Sequence, residues 1–319
     1  MLRRKIQLIA GTTYTVSLPK DWVKRNNLKE QDEVGLNEQN DNTLVLYASE
    51  PKSKHLDRIT LNIDDYVKNI DQVLFAIYYL GIENIELKST NPMTKETRNR
   101  IRKTITHMSG TEIEYEDKSS LRIKVLLDKS KVDVLQVLYR ISLILESSIE
   151  SFKQGPDLTE IRLNENEIDR LYNLVSKIVS LSLVDTSILQ SSKMNYMSLI
   201  PSFFLISKRL ENIGDNVNDL ASYVSSQPSL EKDKQKINRI LDFLASHIHS
   251  SMKFLLQKDT KMFEKVGDDA VNKVYSQLDD VKDAMTSNYL RDMIRYLVNI
   301  EEELVNISFY KILIKEGKL

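Results

Sequence analysis

From Lys131 onward the chain carries no strand signal. Long amphipathic stretches follow instead, at 131–154, 162–190, 195–226, 230–257, 259–286 and 287–315, with breaks near Gly155-Pro156, Ser191–Asn195, Pro228 and Thr286–Asn288. A helix with an apolar stripe must bury that stripe against another element. Six such helices, longer than the usual mean, predict an extended bundle rather than a globin-like packing. This half also repeats. NENEIDRLYNLV at 164–175 resembles GDDAVNKVYSQL at 267–278, and ENIGDNVNDLA at 211–221 resembles VNIEEELVNIS at 298–308. Two three-helix units divided at Pro228, 131–228 and 229–319, explain the order of the matches.

The first 50 residues have a different character. KIQLIA, TYTVSL and TLVLYA are short β-rich runs bounded by turn formers at Gly11-Thr12, Pro19 and Asn40-Asp41-Asn42, with one short helix, KDWVKRNN, between the second and third. Charge is polarised here. Through Lys29 there are seven basic residues and one acid, Asp21; from Glu30 to Glu50 there are six acids and no base. So small a β unit buries little apolar surface alone, which predicts a dimer. Residues 51–130 read as a small α/β domain bounded by Pro51. Its strands are RITLNI, NIELKS, TEIEYE and LRIKVLL, and its helices end at Gly81 and Gly110. No site chemistry is visible in it.

Composition narrows the function. A length of 319 residues fits two or three domains, and 41% apolar with 29% charged residues is ordinary for a globular chain. A net charge of −1 excludes a polycation, so any anion-binding patch must be local. The lack of Cys excludes disulfides, thiolate metal sites and a Cys nucleophile, and fits a reducing compartment. The basic start MLRRKIQLIAG is too short in its apolar part for a signal peptide. The longest uncharged apolar stretch, VLFAIYYLGI at 73–82, is about half a membrane span. The expectation is a cytoplasmic protein with no membrane insertion.

The chemistry concentrates in KRLENIGDNVNDLA, 208–221. Glu211, Asp215 and Asp219 lie four apart, hence in one row on a helix, with no Lys or Arg inside the row. Glu165 and Asp169 form a second i, i+4 pair on the preceding helix. If the two rows face each other, five carboxylates converge, a donor set for hard or borderline cations. The bland alternative is a solvated face, each like-charge pair costing a few tenths of a kcal/mol. Against it stand the flanking Leu210, Ile213, Val217 and Leu220. Gly214 also costs about 1 kcal/mol in a helix relative to Ala, which suits close packing or ligand approach. The second unit offers Glu264, Asp268 and Glu302, but Asn272, Val298 and Asn306 stand where acids would, so weaker binding is expected there. His247 and His249 are two apart and point to different helix faces. There is no P-loop, no GxSxG elbow, no HExxH and no Glu-x-x-His pair.

RLENIGDNVNDLA resembles the PhoU signature, and NEIDRLY and AVNKVY resemble the partner-helix motif of that family. The resemblance spans roughly 131–319. It implies two tandem three-helix bundles, with Glu165, Asp169, Glu211, Asp215 and Asp219 holding a metal cation (Mg, Mn, Fe or Zn); the expectation that goes with it is that inorganic phosphate can be a further ligand of that metal. GTTYTVSLPKDWVKRNNLKEQDEV is similar to the AbrB/SpoVT swapped-hairpin domain in the form joined to PhoU in archaea. That second resemblance covers about 1–48. It implies a homodimer made by interleaved hairpins, with DNA contacts at Arg3, Arg4, Lys5, Lys20, Lys24 and Arg25.

The fold class expected is therefore multidomain: a small all-β swapped-hairpin domain, a small α/β domain and an all-α half. The function expected is a phosphate-responsive regulator of phosphate uptake that binds promoter DNA. The alternative is an adaptor without DNA binding, docked on a phosphate ABC transporter or a regulatory protein. A metal-dependent phosphohydrolase is the least favoured reading, because no general base or substrate-orienting Arg stands with the carboxylates, and the chain is read as no enzyme.

Overall fold

The structure is a computed structural model that describes residues 3–38, 43–48, 57–257 and 260–318. The expected turn at Asn40-Asp41-Asn42, the boundary at Pro51 and the start of the fifth helix at 259 lie outside the described residues. The chain divides into two compact units, Met1–His55 and Leu56–Leu319.

The first unit contains two antiparallel hairpins and one helix. Strand β1 (Gln7–Ile9) pairs with β2 (Thr13–Thr15) across a turn in which Gly11 takes φ +72°. Helix α1 (Lys20–Arg25) follows Pro19, whose missing N–H costs nothing at a helix start. Strand β3 (Gly35–Glu38) pairs with β4 (Leu44–Tyr47). The sequence offered three strand runs by name; β3 lies in the acidic half, where Gly35 and Asn37 hide the strand pattern. None of the described residues of this unit is buried, and Trp22 is only half-buried. Ile6, Leu8, Ile9, Tyr14, Val16, Leu36 and Leu44 are exposed.

The second unit begins with a four-stranded sheet in the order β5-β6-β8-β7, formed by β5 (Arg58–Asn62), β6 (Asn84–Lys88), β7 (Thr111–Glu116) and β8 (Ser120–Val125). Strands β5 and β6 run parallel and are joined by helix α2 (Ile70–Tyr79); the remaining pairs are antiparallel. Helix α3 (Lys95–Thr106) is capped by Thr94 Oγ1, which accepts the Thr97 N–H. Alternate residues of β6 and β8 (Ile85, Leu87, Leu121, Ile123, Val125) are buried with Leu74, Ile77 and Tyr78 of α2 and with Ile101 and Ile105 of α3.

The helical half comprises α4 (Val134–Gln154), α5 (Leu158–Ser182), α6 (Thr186–Ser191), α7 (Ile200–Ser225), α8 (Lys234–Leu255), α9 (Asp268–Asp279) and α10 (Ala284–Lys315). Asp133, Asp157, Asp185 and Asp283 each accept a first-turn N–H, which fixes four of the starts. Both three-helix sets contribute to one continuous apolar core, with α4 packed on α8 and α7 on α10.

Two helix boundaries differ from the sequence expectation. The second long stretch breaks at Leu183, because Asp185 caps a separate short helix there. The fifth is only twelve residues long. Ahead of it, the Phe263 N–H donates to Ser308 Oγ and the Val266 N–H to Glu301 Oε2, both on α10. Those amides are satisfied outside a helix, so nothing extends α9 back toward 259.

Candidate functional site

Helix α5 presents Glu165, Asp169, Tyr172 and Asn173 on one face, by the i, i+4, i+7/8 rule. Helix α7 packs against α5 with Gly214 at the crossing. A Cβ on Gly214 would stand 3.1 Å from Ile168 Cδ1 and 3.4 Å from its Cγ2. The missing side chain lets the two helices close, and the residue that follows, Asp215, comes over the α5 row. One oxygen from each of Glu165, Asp169 and Asp215 then lies within 4.8 Å of the others.

These three groups are half-buried, and their electrostatics show the strain of the arrangement. Burial pushes the Asp169 carboxyl up to about 7, and the charges of Glu165, Asp215 and Glu211 add to it. Burial does the same to Asp215, also to about 7, followed by Glu211 and Glu165. Glu165 is raised as well, first by burial, with Lys103 and Arg162 opposing. Three half-buried carboxyl groups gathered this closely hold their charge reluctantly. A divalent ion would remove that repulsion, and an all-oxygen donor set of this kind suits Mg²⁺, Mn²⁺ or Fe²⁺ better than Zn²⁺, which favours nitrogen and sulfur.

The structure separates the other two candidates of the first three-helix set, Glu211 and Asp219, from these three. Glu211 is buried, 8% exposed, and both of its oxygens accept from Lys208 Nζ at 2.7 Å. Burial opposes the Lys208 charge, but the bonds to Glu211 outweigh it and keep that ammonium above the ordinary lysine value. Lys208 also sits 4.9 Å over the Tyr172 ring. No base interrupts the acidic row, yet Lys208, three residues before it, folds back to neutralise its first member. Asp219 is exposed at the far end of the row, where its charge still raises Asp215 and Glu165.

In the second three-helix set, 229–319, the structure does not bring the candidates together. Glu264, Asp268 and Glu302 are exposed, and among the described residues they form no cluster. Asp268 opens α9 and Glu264 precedes it, so no helical row exists there. The buried acid of α10 is Glu301, 2% exposed, in the place that corresponds to Gly214. Its carboxylate accepts the Val266 N–H at 2.6 Å and lies 3.6 Å from His247 Nδ1. Apolar positions do correspond: Ile213 and Ile300, Val217 and Leu304, and Leu220 and Ile307 are all buried.

The middle domain, silent in sequence, forms a wall of the site. Tyr79 on α2 donates to Asn173 Oδ1, and Arg170 Nη1 donates to Ser109 Oγ at 3.1 Å, so α5 is tied to that domain at the end of α2 and at the turn after α3. His107, just after α3, places Nδ1 3.9 Å from Asp169 Oδ2. Burial and then Lys103 lower the His107 pKa. Lys103, in the last turn of α3, and His107, just past its end, are i, i+4, a spacing the sequence displays but gives no reason to single out.

In the first unit Arg3, Arg4, Lys5, Lys20, Lys24 and Arg25 are all exposed.

The fold and site together define a multidomain protein: a hairpin unit with basic side chains in solvent, and a helical bundle that gathers carboxylates beneath an α/β domain. The comparisons give these parts family descriptions. Residues 134–224 match the PhoU domain, and residues 7–57 match the family described as antidote-toxin recognition MazE, bacterial antitoxin. No curated protein and no solved structure matches the chain. The chain thus carries a PhoU domain behind a MazE/AbrB-like domain, which supports a role in regulating phosphate homeostasis. No helix of the described residues is long and apolar enough to cross a membrane.

Proposed function

We propose that this protein is a dimeric, phosphate-responsive transcriptional regulator whose PhoU domain holds a divalent cation on Glu165, Asp169 and Asp215. The observation that carries the reading is the joining, in one chain, of a PhoU domain to a MazE/AbrB-like unit with six exposed bases. Basic side chains on a symmetric dimer would meet phosphates of both half-sites. The carboxylate centre binds and reports rather than turns over substrate. Metal-dependent hydrolysis of a generic phosphate ester, lost on Asp215→Ala, would overturn that part of the reading.

The test is a titration of the full chain onto its own upstream region and onto a phosphate-transporter promoter, across a salt series, beside Arg3→Ala/Arg4→Ala/Lys5→Ala. Promoter-selective binding that weakens steeply with salt is expected, with a flatter salt slope in the variant. Weak binding of equal strength to any DNA favours the second reading, an adaptor that docks on a phosphate transporter while the hairpin unit only dimerises. The exposed Leu8, Ile9, Tyr14 and Leu36 support dimerisation on either reading.

A further inference from the structure

An open cavity of about 480 Å³ lies beside the carboxylates, between the middle domain and the bundle. Its bundle wall carries Asp169, Tyr172 and Glu211; its middle-domain wall carries Phe75, Lys103 and His107. The two walls have opposite electrostatic character, and their polar groups differ in how far they are already engaged. Arg100, also on the middle-domain wall, is committed: its guanidinium donates to the carbonyls of Val67 and Lys68 and to Asp71 Oδ1. Glu211 is committed to Lys208. Lys103 is not: among the described residues its ammonium makes no hydrogen bond or ion pair, although its charge reaches both Glu165 and His107. An unengaged cation and an imidazole one helical turn apart, facing a carboxylate cluster across a cavity, leave room for a ligand that is anionic toward α3 and can share a cation with the carboxylates.

We propose that this cavity holds a phosphoryl oxyanion between a cation on Glu165, Asp169 and Asp215 and the Lys103 and His107 side chains, so that the middle domain supplies half of the effector site. The inference rests on the metal reading given above, because without a cation the carboxylate wall repels the anion. Lys103 contributes a charge-assisted hydrogen bond and the His107 ring a second donor. The volume falls in the range of small-molecule sites, roughly 300–1,000 Å³. It therefore admits either free orthophosphate or a phosphate ester whose organic body lies along Phe75 and Tyr172. Occupancy would pull α3 toward α5 and α7, giving the middle domain a direct part in sensing.

The test is the melting temperature of the full chain, wild type and Lys103→Gln, in EDTA, in manganese alone, and in manganese with orthophosphate, adenosine monophosphate or sulfate at equal ionic strength. A rise with manganese and a further rise with orthophosphate or the nucleotide, but not with sulfate, are expected. The stronger of the two effective ligands identifies the source of the phosphoryl group. Lys103→Gln should keep the manganese increment and weaken the phosphoryl effect by roughly tenfold or more in concentration. Three outcomes overturn the proposal alone: no phosphoryl effect on top of a normal manganese increment, an effect equal to that of sulfate, or an unchanged effect in Lys103→Gln. No manganese increment in the wild type overturns the metal reading and this proposal with it.

Discussion

Asp215 shows what a single side chain does at this site. It is held beside Glu165 and Asp169 by the packing of α7 on α5, at the cost of burying like charges. Asp215→Asn should therefore raise the melting temperature of the chelated protein by a few degrees and abolish the increment given by manganese. Thermal melts in EDTA and in manganese check both parts, and a metal increment that survives the substitution would remove Asp215 from the ligand set. The pH dependence follows from the same repulsion. Asp169 and Asp215 are shifted from 3.8 to about 7 in the fold, so the folded chain binds protons that the unfolded chain has released. For the metal-free protein, this pair's contribution to stability is greatest in acid, falls between about pH 4 and 7 and stays low above. The metal increment should grow across that same window. Melting curves at pH 5 and pH 8, with and without manganese, measure it.

At the scale of elements, the site depends on how closely α5 and α7 approach. Gly214 sets that distance through its contact with Ile168, with Leu145 of α4 at 3.7 Å behind it. Gly214→Ala gains helix propensity of about 1 kcal/mol and meets Ile168 Cδ1, the end of a flexible side chain, so its stability should change little. Gly214→Leu must push the helices apart. It should cost about 1–3 kcal/mol in urea unfolding and weaken the manganese increment, since Asp215 moves with α7. A Leu variant that keeps full stability and a full metal increment would show that the crossing does not position the carboxylates. The second three-helix set supplies a natural contrast. Glu301 stands at the corresponding place, and its carboxylate serves the backbone of the segment before α9 instead of joining a cluster.

At the scale of the whole molecule, the first unit poses the main question of assembly. An isolated two-stranded hairpin is marginal in water, and this unit has two of them with no buried described residue. A second copy that interleaves its hairpins would cover the exposed Leu8, Ile9, Tyr14 and Leu36. Leu8→Lys/Ile9→Lys should convert a dimer into a monomer by light scattering after size exclusion, and DNA binding should fall with it. The metal increment of the second unit should persist, because the bundle and middle domain form their own compact unit. A wild-type chain that is monomeric at micromolar concentration would exclude this assembly.

Periodicity alone determined the broad plan of this chain: short strands, then a small α/β region, then long helices. It also placed Glu165 with Asp169, and Glu211 with Asp215 and Asp219, because a helix of 3.6 residues per turn puts i and i+4 side by side whatever surrounds it. Gly214 was readable as a point of close approach for the same local reason. The tertiary structure decided which acids meet. Asp219 was left in solvent and α9 was shortened by amides bonded across to α10, whereas the neutralisation of Glu211 by Lys208 is an i, i+3 contact within α7 that the sequence already held. The facing of α3 toward the bundle, which brings Lys103 and His107 to the carboxylates, is likewise beyond any window of sequence. The contacts of α3 and the residues after it with α5 join positions about 60 apart, as Arg170 and Ser109 do, and only the packing of whole elements fixes such distances.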